Sequence, residues 1–342
     1  MPGGGTGFPT SLGAACAISP IMSKRLLLLS SAFLLGGVTL ATTGCAPAPP
    51  PAPEGLDASA RYMIREFYRD DAFFGAGVQG FMNWFNEEGY ALVGEQATAE
   101  NTDSFTVNDL EADDIIHLEL NDLAATGGRD VTTAAGVVSL AEMDCSWQES
   151  EALLMRADQH VLFDETWEGY TRTYQTDRDV FESASQSEVF AAVDVDMDRF
   201  SDDFDPTPYE SSILWTLNQV DPKPLLGVDV PEYEMFLDTR HGIYDVDGEL
   251  TPVVTILTFA VDETYSPNGE NGLRQSYSIE LNVQRPDNKT LRVLAVWAEP
   301  ISALFDSADS PLALNYAVNK SLDASDRMTD VCTGAVEVPA EP

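Results

Sequence analysis

Val253-Val254-Thr255-Ile256-Leu257-Thr258-Phe259-Ala260-Val261 is a run of β-branched and apolar side chains, and it reads as a strand. Two segments of the same character follow, Gln275 to Val283 and Leu291 to Trp297, with Gly/Asn- and Pro/Asp/Asn-containing turns between the three. Segments joined this way pair as antiparallel neighbours, so they form a meander. Glu232 to Asp238 and Gly242 to Val246 are candidate additions to the same sheet, the second turning at Asp247-Gly248. Beyond the meander, Ser310-Pro311 makes a cap and first-turn pair, and Leu314, Val318 and Leu322 give the following helix an apolar stripe. A twisted sheet covered by a helix is an α+β arrangement.

Towards the N-terminus the period changes. Asp57 or Ser59 is placed to cap a helix through Arg69 that presents Tyr62, Met63, Phe67 and Tyr68. Phe74, Val78, Phe81, Met82 and Phe85 recur at helical spacing, with Gly89 as a stop. From Ile115 the residues alternate as a strand, and residues 124–137, rich in Gly, Ala and Thr, read as loop. Ser146-Trp147-Gln148-Glu149 has the spacing of a capping box before a short helix. Trp167 to Tyr174 alternates again, and Thr176-Asp177-Arg178-Asp179 offers a further helix start. The body, residues 56–342, is read either as one α+β unit or as two lobes, 56–220 and 221–342.

Ahead of this body stands a different kind of sequence. Lys24 and Arg25 precede an uncharged apolar stretch from Leu26 to Leu40, and small residues lead to Gly44 and Cys45. That order is a signal peptide, and Met22-Ser23-Lys24-Arg25 is its conventional beginning. Residues 1–44 are therefore expected to be leader. Its end resembles the lipobox of bacterial lipoproteins, in which a cysteine is acylated and the chain is cut just before it. The resemblance implies a lipid attached at Cys45, a membrane as first partner and a place in the bacterial cell envelope. Ala46 lacks the aspartate that in some bacteria retains lipoproteins at the inner membrane, which points to the outer one. Cys45 to Gly55, rich in Pro, is a tether, and at ~3 Å per residue it holds the body some ~30 Å from the bilayer. Cys145 and Cys332 are the remaining cysteines after processing, and in an oxidising compartment they are expected to pair.

Composition bounds the partners. The chain has 57 acidic and 18 basic residues, a net charge of −39, and loses two more positive charges with the leader. Nucleic acid is excluded as a partner by that sign and size. The acids are spread along the chain, which resembles the surface chemistry of proteins from saline habitats. Apolar residues make up 44% of the chain, so the charge does not prevent a core.

Several motifs invite chemistry. Gly75-Ala76-Gly77-Val78-Gln79-Gly80 has the glycine spacing of a dinucleotide fingerprint. The preceding Asp70-Asp71-Ala72-Phe73-Phe74 is too short and charged for the required strand, so these glycines read as small residues that let two helices approach. Asp194, Asp196 and Asp198, followed by Asp202 and Asp205, place carboxylates as a calcium loop does, and calcium is the one cofactor suggested. Arg199 stands where that loop needs Gly, and the same residues alternate as a strand with an acidic outer face; both readings stay open. His117, His160 and His241 share no local spacing, and no catalytic residues are assigned. Arg61, Arg65 and Arg69 form a positive stripe at helical spacing, facing either lipid phosphates or neighbouring carboxylates.

These features describe a membrane-anchored envelope lipoprotein, non-catalytic, whose body binds a small molecule or an envelope partner protein. The alternatives are an exported hydrolase with a dispersed site and a purely structural surface component. The charge generates a first prediction. Raising sodium chloride from 0.1 M to 1 M shortens the Debye length from ~10 Å to ~3 Å, so the melting temperature of the body should climb. A flat or falling melting temperature contradicts it, and an extra rise with calcium at equal ionic strength, lost in Asp196→Ala, would identify the calcium loop.

Overall fold

Residues 253–260, 275–283 and 291–297 lie in three long neighbouring strands of a computed structural model of the chain. It describes residues 51–68, 71–115, 129–179, 181, 213–224, 230–246, 248–260, 262–302 and 307–341. The chain divides into Met1–Pro47 and Ala48–Pro342, and all the described residues belong to the second unit.

The strands are β1 (Thr106–Val107), β2 (Ala135–Met143), β3 (Trp167–Tyr174), β4 (Ile213–Pro222), β5 (Tyr233–Val246), β6 (Glu249–Ala260), β7 (Thr264–Tyr265), β8 (Gly272–Arg285) and β9 (Lys289–Ile301). The helices are α1 (Leu56–Glu66), α2 (Asp71–Glu87), α3 (Trp147–Leu154), the single turn α4 (Gln159–Leu162) and α5 (Pro311–Cys332). All strand pairs are antiparallel, in the order β1-β2-β9-β8-β6-β5-β4-β3, with β7 on β8. The C-terminal meander is thus the centre of the sheet, and strands from residues 106–222 flank it on both sides. The fold is α+β, with the C-terminal helix packed on the sheet.

Period-two alternation sorts the side chains onto two unlike faces. Leu291, Val293, Ala295 and Trp297 of β9 and Tyr277, Ile279, Leu281 and Val283 of β8 point into one core, capped by Met63, Phe67, Phe74, Phe81 and Phe85 of the α1–α2 region. The opposite face carries Ser278, Glu280, Asn282 and Arg292 at its centre, all buried. It is covered by α3, α4 and α5, whose apolar residues pack with Met143, Leu214 and Ile256 at one place and with Val137 and Ala141 at another.

Capping and turns follow local chemistry. Ser146 closes the reciprocal capping box with Glu149, and the Ser310 hydroxyl accepts from Ala313 N–H ahead of Pro311. Gly248 takes φ 86° in the β5–β6 turn, where a side chain would be strained. Four expectations need correction. Gly55, not Asp57 or Ser59, precedes the first helix; the Ser59 hydroxyl donates back to Gly55 O, and the Asp57 carboxylate accepts from Asn108. That helix ends at Glu66 rather than at Arg69. Residues 135–137 are strand, not loop, because β2 is buried along nearly its whole length and so shows no alternation. Strand β4 is an addition that the sequence reading does not contain. The two segments 232–238 and 242–246 are one strand, since Gly242 leaves room for the Tyr244 ring that a Cβ would strike. The alternating segment from Ile116 lies outside the described residues.

Of the glycines in residues 75–80, Gly77 lets α1 and α2 approach, whereas Gly75 makes room for the Tyr244 ring of β5 and Gly80 for Pro53. A Cβ on Gly77 would lie 2.6 Å from Met63 Cγ and 2.9 Å from Tyr62 Cδ1 of α1. Gly77→Ala should therefore destabilise the body by about 1–3 kcal/mol in denaturant unfolding, through overpacking between α1 and α2. An unchanged midpoint would mean that the two helices are not held this close.

Candidate functional site

Helix α5 presents two stripes. Leu314, Val318, Leu322, Ser325 and Met328 face the sheet and are buried. A second stripe, Ala313, Tyr316, Ala317, Lys320, Asp323, Ala324, Arg327 and Asp330, runs beside it at the same three-and-four spacing and borders a groove. The far bank of the groove is the turn 162–166 leading into β3.

This turn is built by its own backbone. Phe163 O accepts from both Thr166 N–H at 2.9 Å and Trp167 N–H at 3.0 Å, and Thr166 O accepts from Lys223 N–H at 2.9 Å. The Trp167 ring meets Phe163 edge-on and stacks on Tyr170 at 5.2 Å, which fixes its plane at the mouth. Arg327 donates to Leu162 O at 3.0 Å and lies 3.6 Å from the Asp164 carboxylate, tying the turn to α5.

The groove has two parts that meet at Thr166, and each holds about 310 Å³. The part beside the first turns of α5 is apolar, walled by Trp167, Tyr233, Leu273, Ile301, Tyr316 and Ala317. Burial pushes the Tyr233 phenol up to about 12, and partial burial raises that of Tyr316, so both hydroxyls keep their protons. One polar atom is exceptional. Asn271 Oδ1 is buried in this wall and has no hydrogen-bond partner, whereas the Asn271 backbone is fully engaged with Ser266.

The part beside the last turns of α5 is charged. Its carboxylates are Asp164, Glu165, Asp323, Asp326 and Asp330, against the two cations Lys320 and Arg327. Lys320 pairs with Asp323 at 2.8 Å and Arg327 with Asp164. Glu165, Asp326 and Asp330 have no ion-pair partner among the described residues. Partial burial, then repulsion by Asp323 and Asp330, holds the Asp326 carboxyl above the usual carboxylate range.

A larger cavity of about 510 Å³ lies behind the end of β9, between Asp109, Arg274 and Asp309. Its buried carboxylate is already satisfied. Glu299 accepts from Arg274, from Thr133 Oγ1 at 2.6 Å and from Gln275 Nε2 at 2.8 Å, which makes it a brace between β8, β9 and the 130–133 turn.

Each residue singled out in the sequence has a definite standing. The Cys145 and Cys332 sulfurs are 2.10 Å apart, the disulfide distance, and join the end of β2 to the end of α5. Arg61 meets Asp114 at 2.6 Å and Glu111 at 2.8 Å, and Arg65 meets Glu66 at 3.0 Å. Cys45, Arg69, His117, Asp194, Asp196, Asp198, Asp202 and Asp205 lie outside the described residues. His241 is buried, with Nδ1 2.7 Å from Glu151 Oε1, Nε2 3.2 Å from Phe181 O, and its ring stacked on Phe181. Both ring nitrogens are thus turned to the protein interior. Of the groove residues, none was assigned a role from sequence. The signal was present in α5, where a second helical stripe of Ala, Tyr and acids accompanies the apolar one.

Among the described residues no helix is long and apolar enough to cross a membrane, and no group of three or more His, Cys, Asp or Glu is placed to hold a metal. Comparison with protein-family models gives no match, and no curated protein matches the chain.

Proposed function

We propose that this chain is a lipid-anchored protein of the bacterial envelope whose body binds a small apolar molecule in the groove beside α5. The Leu26–Cys45 segment supports the anchor, and the apolar cavity supports the binding. The single observation that carries the second part is the cavity of about 310 Å³ walled by Trp167, Tyr233, Leu273, Ile301 and Tyr316. Ligand sites combine such apolar walls with a few convergent polar groups, and a volume of about 310 Å³ sits at the small end of their ~300–1,000 Å³ range. The occupant is therefore small and largely apolar. A binding role also accords with the lining, in which aromatic and aliphatic surface predominates and His241 is turned away.

The neutral reporter N-phenyl-1-naphthylamine should show saturable fluorescence enhancement with the purified body. Ala317→Trp, which fills the cavity from α5, and Leu273→Gln, which makes its wall polar, should each weaken binding by about tenfold or more with unchanged circular dichroism. Absence of saturable binding to the folded protein, or full binding by both variants, overturns the reading. The anchor is tested in the same preparation, since the intact mass of chain extracted from membranes should correspond to an acylated N-terminus at Cys45. Unmodified protein starting elsewhere contradicts it.

A further inference from the structure

Resting on that apolar-pocket reading, we infer that the ligand is a neutral carbonyl compound, a small ketone or ester whose oxygen accepts the Tyr233 hydroxyl while its hydrocarbon lies between Trp167, Leu273 and Ala317. The Tyr233 ring is part of the cavity wall, and among the described residues its hydroxyl has no hydrogen-bond partner. Unlike Asn271 Oδ1, its oxygen keeps accessible surface. Burial nevertheless pushes the phenol up to about 12, so the space it opens on is the groove rather than bulk water. The neighbouring phenol is engaged elsewhere. Tyr233 pairs with Val220 of β4, and Val220 with Tyr170 of β3, but Tyr170 donates to Asn218 at 2.7 Å and accepts from Arg172 at 2.8 Å.

The wall selects the chemistry of its occupant. A desolvated phenol keeps its proton, so it donates. The described residues walling this part include no Asp, Glu, Lys or Arg, and an ammonium or carboxylate carried into it would lose its water without gaining a counter-ion. The ligand is therefore neutral. A pure hydrocarbon would expel water and leave the hydroxyl unsatisfied. An alcohol would accept the proton but bring another of its own to be placed against Leu273 and Ile301, whereas a ketone or ester oxygen accepts and brings none. The second phenol of the wall, Tyr316, is raised by partial burial but also feels Lys320 and Asp323, which puts it at the boundary with the charged part.

Acetophenone and ethylbenzene have nearly the same shape and differ in one carbonyl. Each is titrated against N-phenyl-1-naphthylamine bound to the purified protein, first with the chain as it is and then with Tyr233→Phe, which removes only the hydroxyl. The substitution should raise the concentration of acetophenone needed for displacement by about fivefold or more and leave that of ethylbenzene within about twofold. A second measurement needs no variant. The infrared carbonyl band of acetophenone bound to the unaltered protein should lie at the lower frequency of a hydrogen-bonded ketone, and in Tyr233→Phe it should return to its position in hydrocarbon solvent. A bound band already at the hydrocarbon position in the unaltered protein overturns the carbonyl assignment while leaving the apolar pocket standing. So does a substitution that weakens both compounds alike or neither, or acetophenone that fails to bind where ethylbenzene does. Failure of the reporter and ethylbenzene alike to bind overturns both readings.

Discussion

Arg292 on β9 holds the second layer of this protein in place. Its guanidinium grips Glu280 of β8 through two bonds, Nε to Oε1 at 2.9 Å and Nη2 to Oε2 at 2.8 Å, and reaches across to α5, donating to Ser321 O at 3.1 Å and Ser325 Oγ at 2.9 Å. Both charged side chains are almost wholly removed from water. Asn282 adds a donor to Glu280 at 3.0 Å. A fully bonded pair of this kind contributes little net stability against a hydrophobic substitute, but it fixes position, because only one placement of α5 satisfies every donor. The groove inherits its width from that placement. Had the sheet face been apolar, α5 could have slid along it, as helices on featureless cores do.

The sheet thus divides its labour between two faces. The face under α1 and α2 is continuous hydrocarbon and aromatic surface, and it supplies most of the burial. The opposite face has its apolar contacts split among three smaller clusters, around Leu214 and Ile256, around Val137 and Ala141, and around Tyr170 and Val220, with polar networks at Arg292–Glu280 and Arg172–Asn218. The cavity lies between the last two of these clusters, bordered by Ala317 of α5 on one side and by Trp167 and Tyr233 on the other. The pairing of Cys145 with Cys332 pins the other end of α5, and the chain beyond it returns across α4, where Arg156 donates to Pro339 O at 3.0 Å and Glu341 pairs with Arg178 at 2.6 Å. The helix is therefore held at its middle and its end, and the groove lies along its free flank.

The parts of this architecture that show in sequence are those with a single exposed face. Trp167–Tyr174 alternates because β3 is the edge strand, and α5 declares itself through Ser310, Pro311 and its apolar stripe. The meander showed through β-branched runs. The buried strand β2 carries no alternation, since both its faces are covered, and its Ala-Gly-Val-Val-Ser-Leu-Ala has the small residues of a loop; β4 is covered on both faces only over residues 213–216 and alternates beyond them. The single strand β5 reads as two because Thr239-Arg240-His241, polar and charged yet buried, breaks its apolar pattern. The groove was illegible for a different reason. Its walls come from the turn before β3, the ends of β4 and β9, the starts of β5 and β8, and α5, and no local pattern joins residues so distant. Only the second stripe of α5, with Tyr316, Lys320, Asp323 and Asp330, carried a trace of it.

The account depends on α5 being positioned by the buried pair rather than by apolar contact alone. A double-mutant cycle on Glu280→Met and Arg292→Met, read by denaturant unfolding, measures this directly. Each single change strands a buried charge and should cost about 3–5 kcal/mol, whereas the double variant should lose less than either, giving a coupling of more than about 2 kcal/mol. Single losses that simply add in the double variant would show that the two side chains do not act together, and that the placement of α5 has another origin.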